Sequence, residues 1–279
     1  MIYRQRIVRS ITYILVVLGM LLMIYPLIWL FFSAFKTGDE IFYTTRLLPE
    51  RFTFDAFRDG WQSVGAHTFT TYFINTFRMV VPMVLFAVIS NSVIAYGFAR
   101  FKFIFKKQLF ALMLATMMLP ASVMLIPRYI MFRDLGWLNT YLPMIVPTIF
   151  GTPFFIFLLV QFFRGIPKEL DESATIDGCN SLRLFLTILL PLSKPALFSV
   201  AIFQFMWSWN DFMLPLIYIS SVSRFPLALG LRLSLDITVA VNWNNILAMA
   251  LVSMAPLVLV FFFAQRYFIE GIVTTGIKG

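Results

Sequence analysis

The sequence predicts an all-α integral membrane protein with six transmembrane helices, on three observations. Of its 279 residues, 60% are hydrophobic and 13% charged, with 33 Phe and a mean hydropathy of +0.87; a soluble domain carries about 25% charged residues. Runs long enough to cross a hydrocarbon layer of about 30 Å, for which about 20 apolar residues suffice, occur near 11–35, 78–98, 109–131, 144–163, 195–219 and 246–267. The basic residues gather beside these runs, as cytoplasmic retention of Lys and Arg requires. That placement accounts for the net charge of +9 and excludes a nucleic-acid partner, because no soluble domain is left to present a basic face.

The first run, Ile11 to Phe35, follows Arg4, Arg6 and Arg9. It is longer than the roughly 7 to 15 apolar residues of a cleavable signal core, so it is expected to be an uncleaved first span. Between the second and third runs, "ARFKFIFKKQ" holds Arg100, Lys102, Lys106 and Lys107 without an acid. Six spans put this loop and the N-terminal tail on one side, which the charge rule makes cytoplasmic, with both termini there. The chain is therefore expected to pass through the lipid bilayer several times.

Stretches 36–77 and 220–245 then face outward, the first tempered by Asp39, Glu40, Glu50, Asp55 and Asp59. The second, with Arg224, Arg232, Asp236 and Trp243, is long enough to meet an external protein or to serve as a solvated connector. No repeat or linker separates the spans, so residues 1–279 read as a single transmembrane domain. Pro82, Pro120, Pro127, Pro147, Pro153, Pro215 and Pro256 fall within or beside the runs. Each removes a backbone donor, which is tolerated where neighbouring helices or a water-filled route supply partners.

One cysteine, Cys179, excludes an internal disulfide, and one histidine, His67, leaves no Cys/His set with metal-ligand spacing. An intramembrane enzyme would need a nucleophile and base or a metal within reach, and no H-E-x-x-H occurs. No G-x-x-x-x-G-K-[ST] phosphate loop occurs either, so energy from ATP would have to come from another polypeptide.

Between the fourth and fifth runs lies a polar segment, residues 165–194, beginning "GIPKELDESATIDG". Pro167 suits a first helical position, Glu169, Asp171 and Glu172 place negative charge toward the helix N-terminus, and Gly178 can take the left-handed conformation that ends it. Asn180 or Ser181 can cap a second helix through "LRLFLTILL", which Pro191 interrupts. The segment is predicted to be a helix-turn-helix elbow, ordinary loop structure or a docking element.

The spacing Glu172-Ser173-Ala174, three residues, Gly178, nine residues, Ile188, one residue, Leu190-Pro191 resembles the EAA signature of permease subunits in bacterial ABC importers. Ser173 stands where the signature has alanine, a small-for-small change. "NSVIAYGFARFKF", "FFRGIPKELDESATIDG", "WSWNDFMLPLIY" and the tail "QRYFIEGIVTTGIKG" extend the likeness over nearly the whole chain, within the maltose-permease-like carbohydrate-uptake branch.

The resemblance implies the type I importer permease fold, multi-pass in the bacterial cytoplasmic membrane, with cytoplasmic coupling helices between helices 4 and 5 that fit a cleft on an ATPase. It assigns coupling to Glu172, Ser173, Ala174, Asp177, Gly178, Ile188 and Pro191, and a second ATPase contact to tail residues Thr275, Gly276, Lys278 and Gly279. It implies a second homologous permease subunit, two ABC ATPase subunits or domains that bind ATP and Mg, and an extracytoplasmic solute-binding protein. No cofactor is expected in this chain.

Polar side chains inside spans usually face the bundle interior or a cavity. Asn91 and Ser92 in the second run, and Gln204, Asn210 and Asp211 in the fifth with Trp207 and Trp209 nearby, are candidates for a translocation pathway. Aromatic faces beside hydrogen-bonding groups suit a sugar. The competing explanations are that Trp favours membrane interfaces and that Asn or Asp ties helices together. The expected function is movement of a sugar, an oligosaccharide foremost, from a solute-binding protein to the cytoplasm by alternating access. Glycerol phosphate or its diesters are the alternative cargo, and an autonomous ion-coupled carrier or channel is the other class.

Overall fold

The computed structural model describes residues 2–43, 46–62, 67–235 and 242–276. They form fifteen α-helical segments and no β-strand among the described residues: α1 Ile2–Ser33, α2 Gly38–Tyr43, α3 Asp55–Gln62, α4 Phe69–Arg100, α5 Lys106–Thr116, α6 Leu125–Asp134, α7 Leu142–Ile149, α8 Pro153–Gly165, α9 Glu169–Ile176, α10 Ser181–Leu184, α11 Leu190–Leu192, α12 Lys194–Trp209, α13 Met213–Tyr218, α14 Leu227–Leu233 and α15 Trp243–Gly276. The all-helical class is as predicted.

Among the described residues, four stretches are long and apolar enough to cross a membrane: Arg9–Ser33, Phe69–Arg100, Leu142–Gly165 and Trp243–Phe263. Ser181–Leu192 with Lys194–Trp209 makes a fifth if that pair, bent by 77°, counts as one span. The expected run at 109–131 is two helices, α5 and α6, separated by turns around Pro120. Proline there lacks the donor that a continuous ladder needs. The expected run at 195–219 is likewise divided, with α12 ending at Trp209 and α13 beginning at Met213.

The chain divides into two compact units. The first holds residues 1–70 and 230–255. There the ring of Phe35 meets those of Phe31, Phe52, Phe54 and Phe57 at centroid distances of 5.1 to 6.0 Å. Gly60 of α3 lies so close to α15 that a β-carbon would stand 3.0 Å from the Met249 side chain and 3.1 Å from Asn245 O. Buried Lys36 donates to Arg46 O, and the Glu40 carboxylate accepts from the Glu50 N–H at 2.7 Å.

The second unit holds residues 71–229 and 256–279. Its core joins Ala95, Tyr96 and Ala99 of α4, Phe155, Ile156, Leu159, Val160 and Phe163 of α8, and Ala196 and Val200 of α12. Ala95 and Ala99, four apart, lie on one helix face and let backbones approach, the usual device where lipid gives no hydrophobic drive.

The break between α7 and α8 is held from α4. Asn91 is fully buried; its Oδ1 accepts from the Thr152 N–H at 2.7 Å and its Nδ2 donates to Ala87 O at 2.5 Å. The neighbouring Ser90 hydroxyl donates to Ile149 O. Gly151 at the break has φ +86°, and a β-carbon there would stand 2.8 Å from Ile94 Cδ1.

Candidate functional site

The elbow follows α8 and is built by local rules. Pro167 lies two residues ahead of Glu169, the first residue of α9, instead of in the first helical position; either placement starts a helix. Glu169, Asp171 and Glu172 occupy the first turn, where carboxylates complement the macrodipole. At the other end Gly178 has φ +80°, its N–H donates to Thr175 O at 3.0 Å, and the Cys179 N–H donates to Ala174 O at 2.9 Å. These two bonds are a Schellman stop, completed by Ala174 and Cys179 packing into the same core.

Asn180 then caps the second arm, its Oδ1 accepting from the Arg183 N–H at 2.8 Å. One widened turn, Phe185–Leu189, interrupts this arm, with the Leu190 N–H reaching Phe185 O five residues back. It ends two residues before Pro191, which cannot donate to a regular ladder. Fully buried Ser193 makes the corner into α12.

Side chains from α4 and α8 seat the elbow. Ala174, Leu184, Phe185 and Leu189 pack with Ala95, Tyr96, Ala99 and Phe163. The Tyr96 ring stacks on Phe185 at 4.8 Å and its hydroxyl donates to Ser181 O at 3.0 Å. Arg100 Nε lies 2.6 Å from Asp171 Oδ2, close enough for an ion pair though not aligned as a hydrogen bond, and Arg100 Nη2 donates to Ile166 O at 3.1 Å. The two side chains are only 7% and 19% exposed. Burial pushes the Asp171 carboxyl above its ordinary pKa, and the Arg100 guanidinium pulls the other way.

This arrangement divides the predicted coupling residues. Glu172, Ser173, Asp177 and Gly178 are exposed on the outer side of α9 and its turn, joined by Ile176 at 87% and Leu182 at 65% exposure. Ala174 faces inward at 5%, so its small size serves close approach of α9 to its own chain. The Ser173 hydroxyl donates back to Glu169 O at 2.7 Å, Ile188 packs half-buried on the core, and Pro191 is exposed.

The seat, Arg100 with Tyr96, was missed in the sequence, where Arg100 reads as a topology marker. The available signal was spacing: Asp171 lies three residues before Ala174 and shares its helix face. In the tail, Thr275 and Gly276 end α15, whereas Lys278 and Gly279 lie outside the described residues.

The pathway candidates do not form one cluster of free polar groups. Asn91 holds the α7–α8 break, and the buried Ser92 hydroxyl donates to Ile89 O at 2.8 Å. Gln204 Nε2 donates to Ser208 Oγ at 2.7 Å, both buried. Trp207 is 49% exposed and stacks on Phe155 at 5.0 Å, while Trp209 is buried between Phe73, Phe77 and Phe205. Asn210 caps α12, donating to Met206 O at 2.9 Å, and Asp211 accepts from the Leu214 N–H at 3.1 Å.

On another face, Asn75 Nδ2 donates to Ser223 O and Phe225 O, and Thr76 Oγ1 accepts from the Leu227 N–H. Asn139, with φ +59°, bonds Ser221 through its side chain. These bonds pin the start of the expected outer loop; its Asp236 lies outside the described residues.

Residues 83–273, from α4 through the elbow into α15, match the family model described as the binding-protein-dependent transport system inner membrane component. The chain belongs to this family. The permease is 34% identical over 256 residues to the probable ABC transporter permease protein YurM of Bacillus subtilis, covering 91% of this chain and 84% of that one. It is 32% identical over 259 residues to the arabinooligosaccharides transport system permease protein AraQ of Halalkalibacterium halodurans, covering 92% and 91%. With the diacetylchitobiose uptake system permease protein NgcG of Streptomyces coelicolor the identity is 29% over 269 residues, covering 96% and 88%.

Its fold matches a chain in the crystal structure of a bacterial ABC transporter involved in import of the acidic polysaccharide alginate, with a TM-score of 0.85 at 23% identity over 94% of this chain and 97% of that one. The expected importer permease fold is thus observed. A permease of this family is an inner-membrane transport component and not an enzyme, and it works with an ATPase and a solute-binding protein.

Proposed function

We propose that this permease takes a sugar, an oligosaccharide foremost, from an extracytoplasmic solute-binding protein and moves it inward by alternating access, driven by two ABC ATPase subunits or domains. The observation that carries the reading is the two-sided elbow. Its inner side is fixed to α4 and α8 by an ion pair, a ring stack and apolar packing. Its outer side offers Glu172, Ile176, Asp177 and Leu182 to a partner. An element held this firmly passes partner motion to the spans as rigid-body rotation. The names of the relatives, which carry arabinooligosaccharides and diacetylchitobiose, support the sugar class.

In this reading the elbow and both termini are cytoplasmic, following the basic "ARFKFIFKKQ" loop. A second, homologous permease completes the route, and the partner ATPases hold ATP and Mg. Thr275, Gly276, Lys278 and Gly279 make a smaller contact with the ATPases. Trp207, Asn210 and Asp211 are the favoured route residues of this chain, since Trp207 and Asn210 are exposed and Asp211 is half-buried, whereas Asn91, Ser92 and Gln204 are buried.

The test is to tag the chain in its native membrane, purify it in mild detergent and identify what accompanies it. An ABC ATPase and a second permease should co-purify with the wild type. Glu172→Lys, which reverses an exposed charge, and Gly178→Pro, which cannot adopt φ +80°, should lose the ATPase and keep the second permease. A chain that purifies alone and transports in liposomes without ATP would overturn the importer reading.

A further inference from the structure

A groove between α5 and α8 takes no part in the coupling described above. It encloses about 530 Å³ and is lined by Lys106, Lys107, Phe110, Ala111, Leu114 and Arg164. Lys107, Phe110, Ala111 and Leu114 recur at helical spacing, so they form one face of α5 with the cations at its start. From Lys107 to Leu114 that face runs about 10 Å at roughly 1.5 Å per residue. Arg164, in the last turn of α8 just before the elbow, lies with its guanidinium carbon 5.4 Å from the Phe110 ring centroid.

The polar end is electrically unbalanced. Among the described residues, no carboxylate forms an ion pair with Lys106, Lys107 or Arg164. The Lys106 ammonium donates to Phe101 O at 2.7 Å, and burial, with the charges of Arg164 and Lys168, pushes its pKa down. A groove that crowds three cations against an apolar wall fits an occupant with an anionic head and a hydrocarbon tail. A soluble anion would leave Phe110, Ala111 and Leu114 facing water.

The geometry points to a site for an acidic phospholipid, its phosphate held by Lys106, Lys107 and Arg164 and the upper part of one acyl chain lying along Phe110, Ala111 and Leu114. Basic pockets between helices at the membrane surface are suited to such headgroups. Arg164 adjoins Gly165, where the elbow begins, so the bound lipid would sit at its entry.

The test uses the complete importer in nanodiscs mixing phosphatidylglycerol and phosphatidylethanolamine of matched chains, with retained lipid counted by native mass spectrometry. Wild type should retain phosphatidylglycerol in preference. Each cation near the headgroup is worth about fivefold, so the combined Lys106→Gln, Lys107→Gln and Arg164→Gln variant should weaken retention on the order of a hundredfold. Lys102→Gln, which removes a charge from the same loop but outside the groove, should change it little.

The same spectra report whether the complex is assembled. If the triple variant does not assemble, Lys107→Gln alone, at an exposed position, should show the fivefold loss. Equal retention in the groove variants and Lys102→Gln would overturn the site. Displacement of the lipid by soluble glycerol phosphate at equal concentration would also overturn it, revealing a free-phosphate site instead. Neither readout depends on ATP or on the transported sugar.

Discussion

Two glycines with nearly the same backbone angle do different work in this permease. Gly151, φ +86°, turns the chain between α7 and α8 inside the packing, where a β-carbon would stand 2.8 Å from Ile94 Cδ1, 3.0 Å from Ile156 Cδ1 and 3.4 Å from Asn91 Oδ1. Gly178, φ +80°, turns the chain between the elbow's two arms with nothing within 4 Å of that position. The first must be glycine for its angle and for space, the second for its angle alone. An interruption inside a span is closed by partners from another helix, whereas one outside the spans leaves its tip free to meet another molecule.

The largest expected effect separates the two. Gly151→Ala combines left-handed strain of about 1 to 2 kcal/mol with overpacking of about 1 to 2 kcal/mol; the lower figures apply as far as the two isoleucine methyls can shift. Gly178→Ala carries only the strain, about 1 to 2 kcal/mol. Thermal unfolding of the purified complex should therefore fall clearly more for Gly151→Ala. Equal shifts would break the distinction between an enclosed turn and an open one.

Arg100→Leu comes next. It removes the charge opposite Asp171 and the donor to Ile166 O, leaving a mostly buried carboxylate uncompensated. Breaking a buried pair costs about 3 to 5 kcal/mol, and the partial exposure of Asp171 brings the expectation to about 2 to 3 kcal/mol. Because the pair joins α4 to α9, ATP hydrolysis should also respond less to transport substrate in this variant. Unchanged coupling with lowered stability would make the pair a fastening without a part in transmission.

Much of the elbow was legible because its rules are local. Acidic residues in a first turn, a glycine stop and an Asn180 cap each depend on residues within about four positions along the chain. Its seat was not legible, because Arg100 and Asp171 are 71 residues apart and an arginine beside a span has a sufficient explanation in topology. Asn91 was misleading for a related reason. A buried amide that lines a route and one that closes a broken helix look alike until Thr152 is seen to donate to it. The division of run 109–131 could be anticipated from Pro120, but proline alone does not distinguish a kink from two helices.

A smaller contrast follows from the two asparagines. Asn91→Leu strands the half-buried Thr152 N–H, about 1 to 2 kcal/mol by the cost of an unmet donor. Asn180→Ala loses a cap that water can partly replace, about 1 kcal/mol. Unfolding measurements on both variants sharpen the comparison. A larger loss at Asn180 would mean that the elbow is held by its own turn more than by its seat.

The smallest effect is a pH dependence whose sign is informative. Burial raises the Asp171 pKa above its ordinary 3.8 despite Arg100, so the folded chain binds this proton more tightly than the unfolded chain. Its contribution to stability is therefore greatest below the unfolded pKa and is lost as pH rises through the raised folded one. Asp171→Asn keeps the shape and cannot titrate. Wild type measured against this variant should lose relative stability as pH rises from about 3.8. The opposite slope would mean that Arg100 more than offsets the burial of the carboxylate, which would make the pair a source of stability and not only a means of fixing where the elbow sits.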